Sequence, residues 1–236
     1  MDGTSAQWLE KAKALLPDAV ALRRRIHEHP ELGLHLPRTV EAVREALDGL
    51  DVKIEHGPST SGLIVTLQGP QQGRTVLLRG DMDALPMPED TGLPFASKEE
   101  GKMHACGHDG HTAMLAMAVR LLHAERDRLA GTVKFMFQPG EEGHFGALRM
   151  IEDGLIDRHP RPDGAFAIHI SPNIPAGLIA GRAGSVMAST DQIFIEVKGR
   201  GGHASMPHHA LDPIPVACEI VSALQTFVTR QINAFD

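Results

Sequence analysis

At 236 residues, with 42% hydrophobic and 22% charged side chains, the chain has the composition of an ordinary globular protein, sufficient for one large domain or one domain and part of another. Thirty acidic against 23 basic residues give a formal charge of −7, and no basic stripe is interleaved with aromatics, which argues against nucleic acid as a partner. No basic start followed by an apolar leader and no apolar run of membrane length occurs, so a cytoplasmic protein with no membrane partner is expected, with Cys106 and Cys218 reduced.

In chain order, the segment from Ala6 to Leu50 reads as helical, with Leu15, Ala19, Leu22 and Ile26 on one face, a break at "HEHPELGLHLP" and a second helix in "RTVEAVREALDGL". "SGLIVTLQG" and "RTVLLRGDMD" are short β-branched and leucine-rich runs between glycines, and read as strands. From Gly110 the positions Met114, Met117, Ala118, Leu121 and Leu122 recur at three and four, which predicts a helix capped by Asp109 and ended by Gly131. "TVKFMFQP" follows as a strand, "FGALRMIEDG" as a helix closed by Gly154, and "GAFAIHIS" as a strand. This alternation predicts an α/β fold with a largely parallel twisted sheet and flanking helices. A second unit is expected from about Ala183: "STDQIFIEVKGRGG" alternates like a strand with one solvated face, and "DPIPVACEIVSALQTFVTRQINAF" like one amphipathic helix. One strand and one helix cannot bury their apolar faces alone, so the unit is expected to be part of a larger one or to be covered by a partner.

Parallel sheets bind ligands beyond the carboxyl ends of their strands, and the chemistry-bearing residues cluster there in sequence. Asp81 and Asp83 follow "TVLLRG", Glu141 and Glu142 follow "TVKFMFQPG", His169 ends "GAFAIHI", and Cys106 and His108 close a long loop before the next helix. Thiolate, imidazole and carboxylate together suit zinc or another first-row divalent ion; the plain alternative is a polar helix-start loop with a buried thiol. Of the adjacent glutamates one is expected to ligate and the other to act as base, since two like charges on a dry rim repel unless one is neutralised or bound. A solvated acidic turn is the alternative there. Asp83 is expected to orient the site from outside the donors, or with Asp81 merely to cap a loop. A thiol nucleophile at Cys106 with His108 as its base is a further reading. His27 and His29 read as structural, because His-Glu-His followed by Pro30 is not a zinc-helix spacing, and His208 and His209 read as a surface turn. His104 and His111 lie near the site without an assignable role.

In this order, "RRRIHEHPELG", "GDMDALP", "MHACGHDGH", "QPGEEG", "AIHISPNIPAG" and "GRGGHASMP" resemble the dinuclear metal amidohydrolases, which include hippurate hydrolase, N-acyl-amino-acid amidohydrolases, carboxypeptidases and plant auxin-conjugate hydrolases. The resemblance runs from about Leu22 to Pro215. It implies a zinc-peptidase-like catalytic domain over residues 1–182, and over 183–236 the first half of a ferredoxin-like lid and dimerisation domain. It implies two divalent ions (zinc, manganese, nickel or cobalt) held by Cys106, His108, Glu142 and His169, with Glu141 as general base and Asp83 supporting the site. His203 would be a lid histidine that polarises the substrate carbonyl, often across a homodimer, and the substrate an N-acyl amino acid. The family continues past the lid into further sheet with another ligating histidine, so the chain is expected to be incomplete. A truncated, catalytically silent metal-binding or dimerising module is the alternative.

Overall fold

The computed structural model describes residues 3–187 and 193–232. These fall into two compact units, residues 1–175 and 176–236. The first begins with helices α1 (Gly3–Ala14), α2 (Leu16–Glu28) and α3 (Pro37–Ala46). Pro17 and Pro37 sit in the first turns of α2 and α3, where a missing N–H removes no helical bond. The Glu31 carboxylate accepts the Arg38 and Thr39 N–H groups at 3.2 and 2.9 Å, supplying the cap that α3 lacks locally.

Five strands follow: β1 (Lys53–His56), β2 (Leu63–Gln68), β3 (Gln71–Asp81), β4 (Ala130–Gln138) and β5 (Gly164–Ala167). They form one sheet in the order β1-β2-β4-β3-β5. β3, β4 and β5 run parallel, whereas β1 pairs with β2 and β2 with β4 antiparallel. The α/β class stands, but the sheet is mixed rather than largely parallel. Only Gly69 and Pro70 join β2 to β3, too few for a crossover, so the chain must reverse there. β1 was not anticipated; four residues are too few for a readable period.

β4 lies between β2 and β3 and is buried on both faces. Val133, Phe135 and Phe137 pack with α2, α3 and helix α4 (His108–Ala124), while Met136 packs with Ile64, Leu77 and Met150 of helix α5 (Gly146–Glu152). The alternation of period two thus serves two cores. Lys134 lies buried within this strand, its ammonium donating to the Ile156 and Arg158 carbonyls at 3.4 and 2.5 Å. Gly131 does not end α4: that helix stops at Ala124, a 3-10 turn follows over Arg126–Arg128, and Gly131 lies inside β4.

The second unit contains a 3-10 turn at Pro207–His209, helix α6 (Pro213–Gln231) and an isolated bridge between Arg200 and Leu211. Asp212 caps α6, accepting the Ile214 N–H at 2.9 Å. The strand expected in "STDQIFIEVKGRGG" does not form among the described residues: Ile193, Phe194 and Ile195 are exposed without a ladder, and 188–192 lie outside the described residues. A strand is held by its neighbour's hydrogen bonds, and the described part of this unit offers only that single bridge. No lid domain is evident among the described residues. No helix among the described residues is long and apolar enough to cross a membrane.

Candidate metal centre

The three parallel strands end on one rim. Asp81 closes β3 and Asp83 follows it; Glu141 and Glu142 follow β4; His169 follows β5; and Cys106 and His108 enter the same space at the start of α4. Three triads have donor atoms within 4.8 Å of one another: Cys106, His108 and His169; His108, Glu141 and Glu142; Asp81, His108 and His111. His108 is common to all. Its Nδ1 donates to the Asp83 carbonyl at 2.8 Å, and its Nε2 is buried and without a hydrogen-bond partner among the described residues. Asp81 Oδ2 lies 3.5 Å and Glu142 Oε1 3.9 Å from that nitrogen.

The local turn is set by Gly107, whose φ of +83° starts α4 from a left-handed residue. That turn lets Cys106 and His108 face one space although they are two residues apart. Asp109 does not cap the helix as expected. Its carboxylate instead receives Arg23 Nε at 2.6 Å and His27 Nδ1 at 2.7 Å, both from α2. His27 Nε2 in turn faces Glu89 Oε1 at 3.2 Å, and the Ala84 and Lys98 amides donate to the Glu31 and Glu28 carbonyls. "RRRIHEHPELG" is thus the frame that holds the loop carrying Cys106. Sequence spacing left His27 structural, and the structure places it in this frame. His104, behind it, is kept neutral because burial pushes its ring down to about 4.

Asp83 accepts the Glu141 and Glu142 N–H groups at 3.0 Å each, one on each oxygen. Burial opposes its charge, but the His108 and backbone hydrogen bonds outweigh that and lower its pKa. Glu141 is exposed and Glu142 partly buried, so one is placed toward solvent and the other inward. His169 is exposed, its Nε2 lying 3.4 Å from Cys106 Sγ. Burial, reinforced by the Glu142, Asp81 and Glu141 carboxylates, pushes the Cys106 thiol up to about 12. This argues against a thiol nucleophile, which needs a depressed pKa. The same negative field raises His108 against the effect of burial, through the Asp83 and Asp81 carboxylates. A site that favours positive charge beside an unpartnered imidazole nitrogen, a thiol and inward carboxylates fits a divalent cation.

Asp81 and His111, given no firm role by sequence, lie in this cluster. Burial opposes ionisation of Asp81, but His111, His108 and Arg79 together bring it to about 2. Spacing signalled only part of this: His108 and His111 lie three apart on one helix face, whereas nothing in the spacing pairs His111 with Asp81 at the end of β3. Although His111 falls in a donor triad, both of its nitrogens are already engaged, to Asp81 Oδ1 at 2.6 Å and the Ile170 N–H at 2.9 Å. It is therefore no ligand in this arrangement. His203 lies in the second unit, exposed, with Nδ1 facing Ser205 Oγ at 2.8 Å. His208 and His209 are exposed in the 3-10 turn, and both cysteines are free thiols.

The profile of Peptidase family M20/M25/M40 matches residues 77–233. N-acetylcysteine deacetylase of Bacillus subtilis is 41% identical over 223 residues, covering 94% of this chain and 58% of that protein. The crystal structure of a protein from methicillin-resistant Staphylococcus aureus superposes with a TM-score of 0.80 at 37% identity, over 97% of this chain and 61% of the other. A second, of a dinuclear metal binding peptidase of the M20 family from Bacillus subtilis, gives 0.65 at 40% identity, over 69% and 45%. The chain spans about half the length of the curated relatives it matches, between 48% and 58%.

Proposed function

Since this chain belongs to Peptidase family M20/M25/M40, we propose that it carries the metal-binding half of a site that hydrolyses the amide of an N-acyl amino acid. The observation that carries the reading is the buried, unpartnered Nε2 of His108 at the centre of the strand-end donors. Cys106, His108, Glu142 and His169 would hold two divalent ions. When bound, such ions supply Lewis acidity that lowers the pKa of water and polarises a carbonyl.

The chain's own residues do the rest. Glu141, facing solvent at the mouth, takes the proton of the attacking water and returns it to the leaving amine. Asp83 holds the backbone of both glutamates, so that Glu142 points inward while Glu141 stays free. His203 is read as the residue that polarises the substrate carbonyl, and residues 183–236 as the start of a lid through which a homodimer forms. The exposed Ile214, Val221, Leu224 and Phe227 of α6 support a covered face there. N-acetyl amino acids are the first substrates to test, because a relative bears a deacetylase name.

Glu141→Gln should keep its metal and lose on the order of a hundredfold in turnover. Glu142→Ala should lose metal. Near-normal turnover in the first, or unchanged metal content in the second, would reverse the assignment of the pair. Donor number favours a second reading, a metal-holding module without turnover. Four protein donors fall short of the roughly three per ion that two tetrahedral ions need. Chelator-sensitive hydrolysis of an N-acetyl amino acid by the 236-residue chain would remove it.

A further inference from the structure

His111 stands between the two ligand histidines. Its ring stacks 5.5 Å from that of His108 and meets His169 edge-on at 4.7 Å, and it is 2% exposed. An amide N–H can only donate, so the Ile170 N–H at 2.9 Å requires a bare Nε2, and the ring proton lies on Nδ1, donated to Asp81 Oδ1 at 2.6 Å. Asp81 is itself fixed: Arg79 Nη1 reaches its other oxygen at 2.6 Å, and Arg79 Nε donates to Gln138 Oε1 at 2.8 Å. One chain of bonds therefore ties the ends of β4 and β3, the first turn of α4 and the peptide just beyond His169.

That last link matters because β5 gives His169 no direct hold. The β3–β5 ladder ends at Arg79 and Ala167, and His169 is exposed. The ring is oriented instead by Ile170, whose carbonyl accepts His169 Nδ1 at 2.6 Å and leaves Nε2 toward Cys106 Sγ at 3.4 Å. Ile170 is thus held at its N–H, in the His169–Ile170 peptide, by His111, and its carbonyl, in the following peptide, holds the His169 ring. We infer that His111 is a positioning residue: kept in one tautomer by Asp81, it fixes the His169–Ile170 peptide and so sets His169 opposite Cys106. The inference rests on the metal reading above.

Co(II) titration of the full chain tests it, following affinity, the thiolate-to-cobalt charge-transfer band of Cys106 and the ligand-field bands. His111→Ala should weaken binding roughly 10–100-fold with the thiolate band retained and the ligand-field bands altered. His111→Gln, whose amide oxygen can accept the Ile170 N–H, should recover part of the loss. An alanine variant with wild-type affinity and spectrum overturns the inference and leaves the metal reading standing. Wild-type Co(II) binding that Cys106→Ser does not change overturns the metal reading and the inference with it. Should His111→Ala fail to fold, 15N spectra of the wild-type ring decide: a bare Nε2 is expected, and a protonated Nε2 overturns the tautomer on which the positioning depends.

Discussion

Gly107 lets two donors from one short loop converge. A side chain there would be held at a φ of +83°, and its Cβ would fall 2.1 Å from Ile170 Cδ1. The isoleucine tip can swing away, but the left-handed backbone cannot change without turning His108 out of the cluster. Gly107→Ala should therefore cost about 1–2 kcal/mol, read as a lowered denaturation midpoint; an unchanged midpoint would mean that the α4 start is free to rearrange. At this scale the sequence showed which residues could bear chemistry, because Cys106, Glu141, Glu142 and His169 each sit just past an apolar run or just before a helix. Hydrogen-bonded supports such as Asp81 and Asp109 were not legible, because their partners, His111 and His27, are chosen by packing rather than by spacing.

Among the elements, α2 does more than cover the sheet, since it presents Arg23 and His27 to the first turn of α4. Around His27 stand Arg23 on α2, Asp109 in the first turn of α4, and the neutral His104 and Glu89 on the loop before it. The hydrogen bond to Asp109 raises the His27 pKa above 6.5, against burial, which lowers it. A raised folded-state value means that the contribution to stability is complete below 6.5 and fades as pH climbs through that raised value. His27→Gln should thus destabilise more at about pH 5.5 than at about pH 9, measured by paired urea titrations. Equal losses at both would place the proton elsewhere. The long helices α4 and α6 were legible from periodicity, as were β2, β3 and β4 from their apolar runs. The direction of β2 differs from the expected parallel one, because apolar runs do not state polarity and the two-residue link to β3 forces the chain to reverse.

For the whole molecule, the proposed donors come from separate segments that only folding gathers at one rim, so cation binding and folding should be linked. Zinc or cobalt at a hundred times its dissociation constant should stabilise the chain by about 2.7 kcal/mol, with thermal unfolding shifted upward and restored by a chelator. A midpoint insensitive to saturating metal would mean that the donors do not act together. The class of fold was legible because strand and helix alternate. The second unit was legible only in outline, since the strand expected there joins no ladder among the described residues.

The place of β4 in the sheet also sets an order in time. β2 has an early neighbour in β1, but β3 pairs only with β4 and β5, and both come later in the chain. During synthesis β3 must therefore wait, its backbone unpaired, until residues 130–138 have emerged and slotted between it and β2. The rim cannot take shape before that insertion, so building the site requires the closure of a long loop around a central strand.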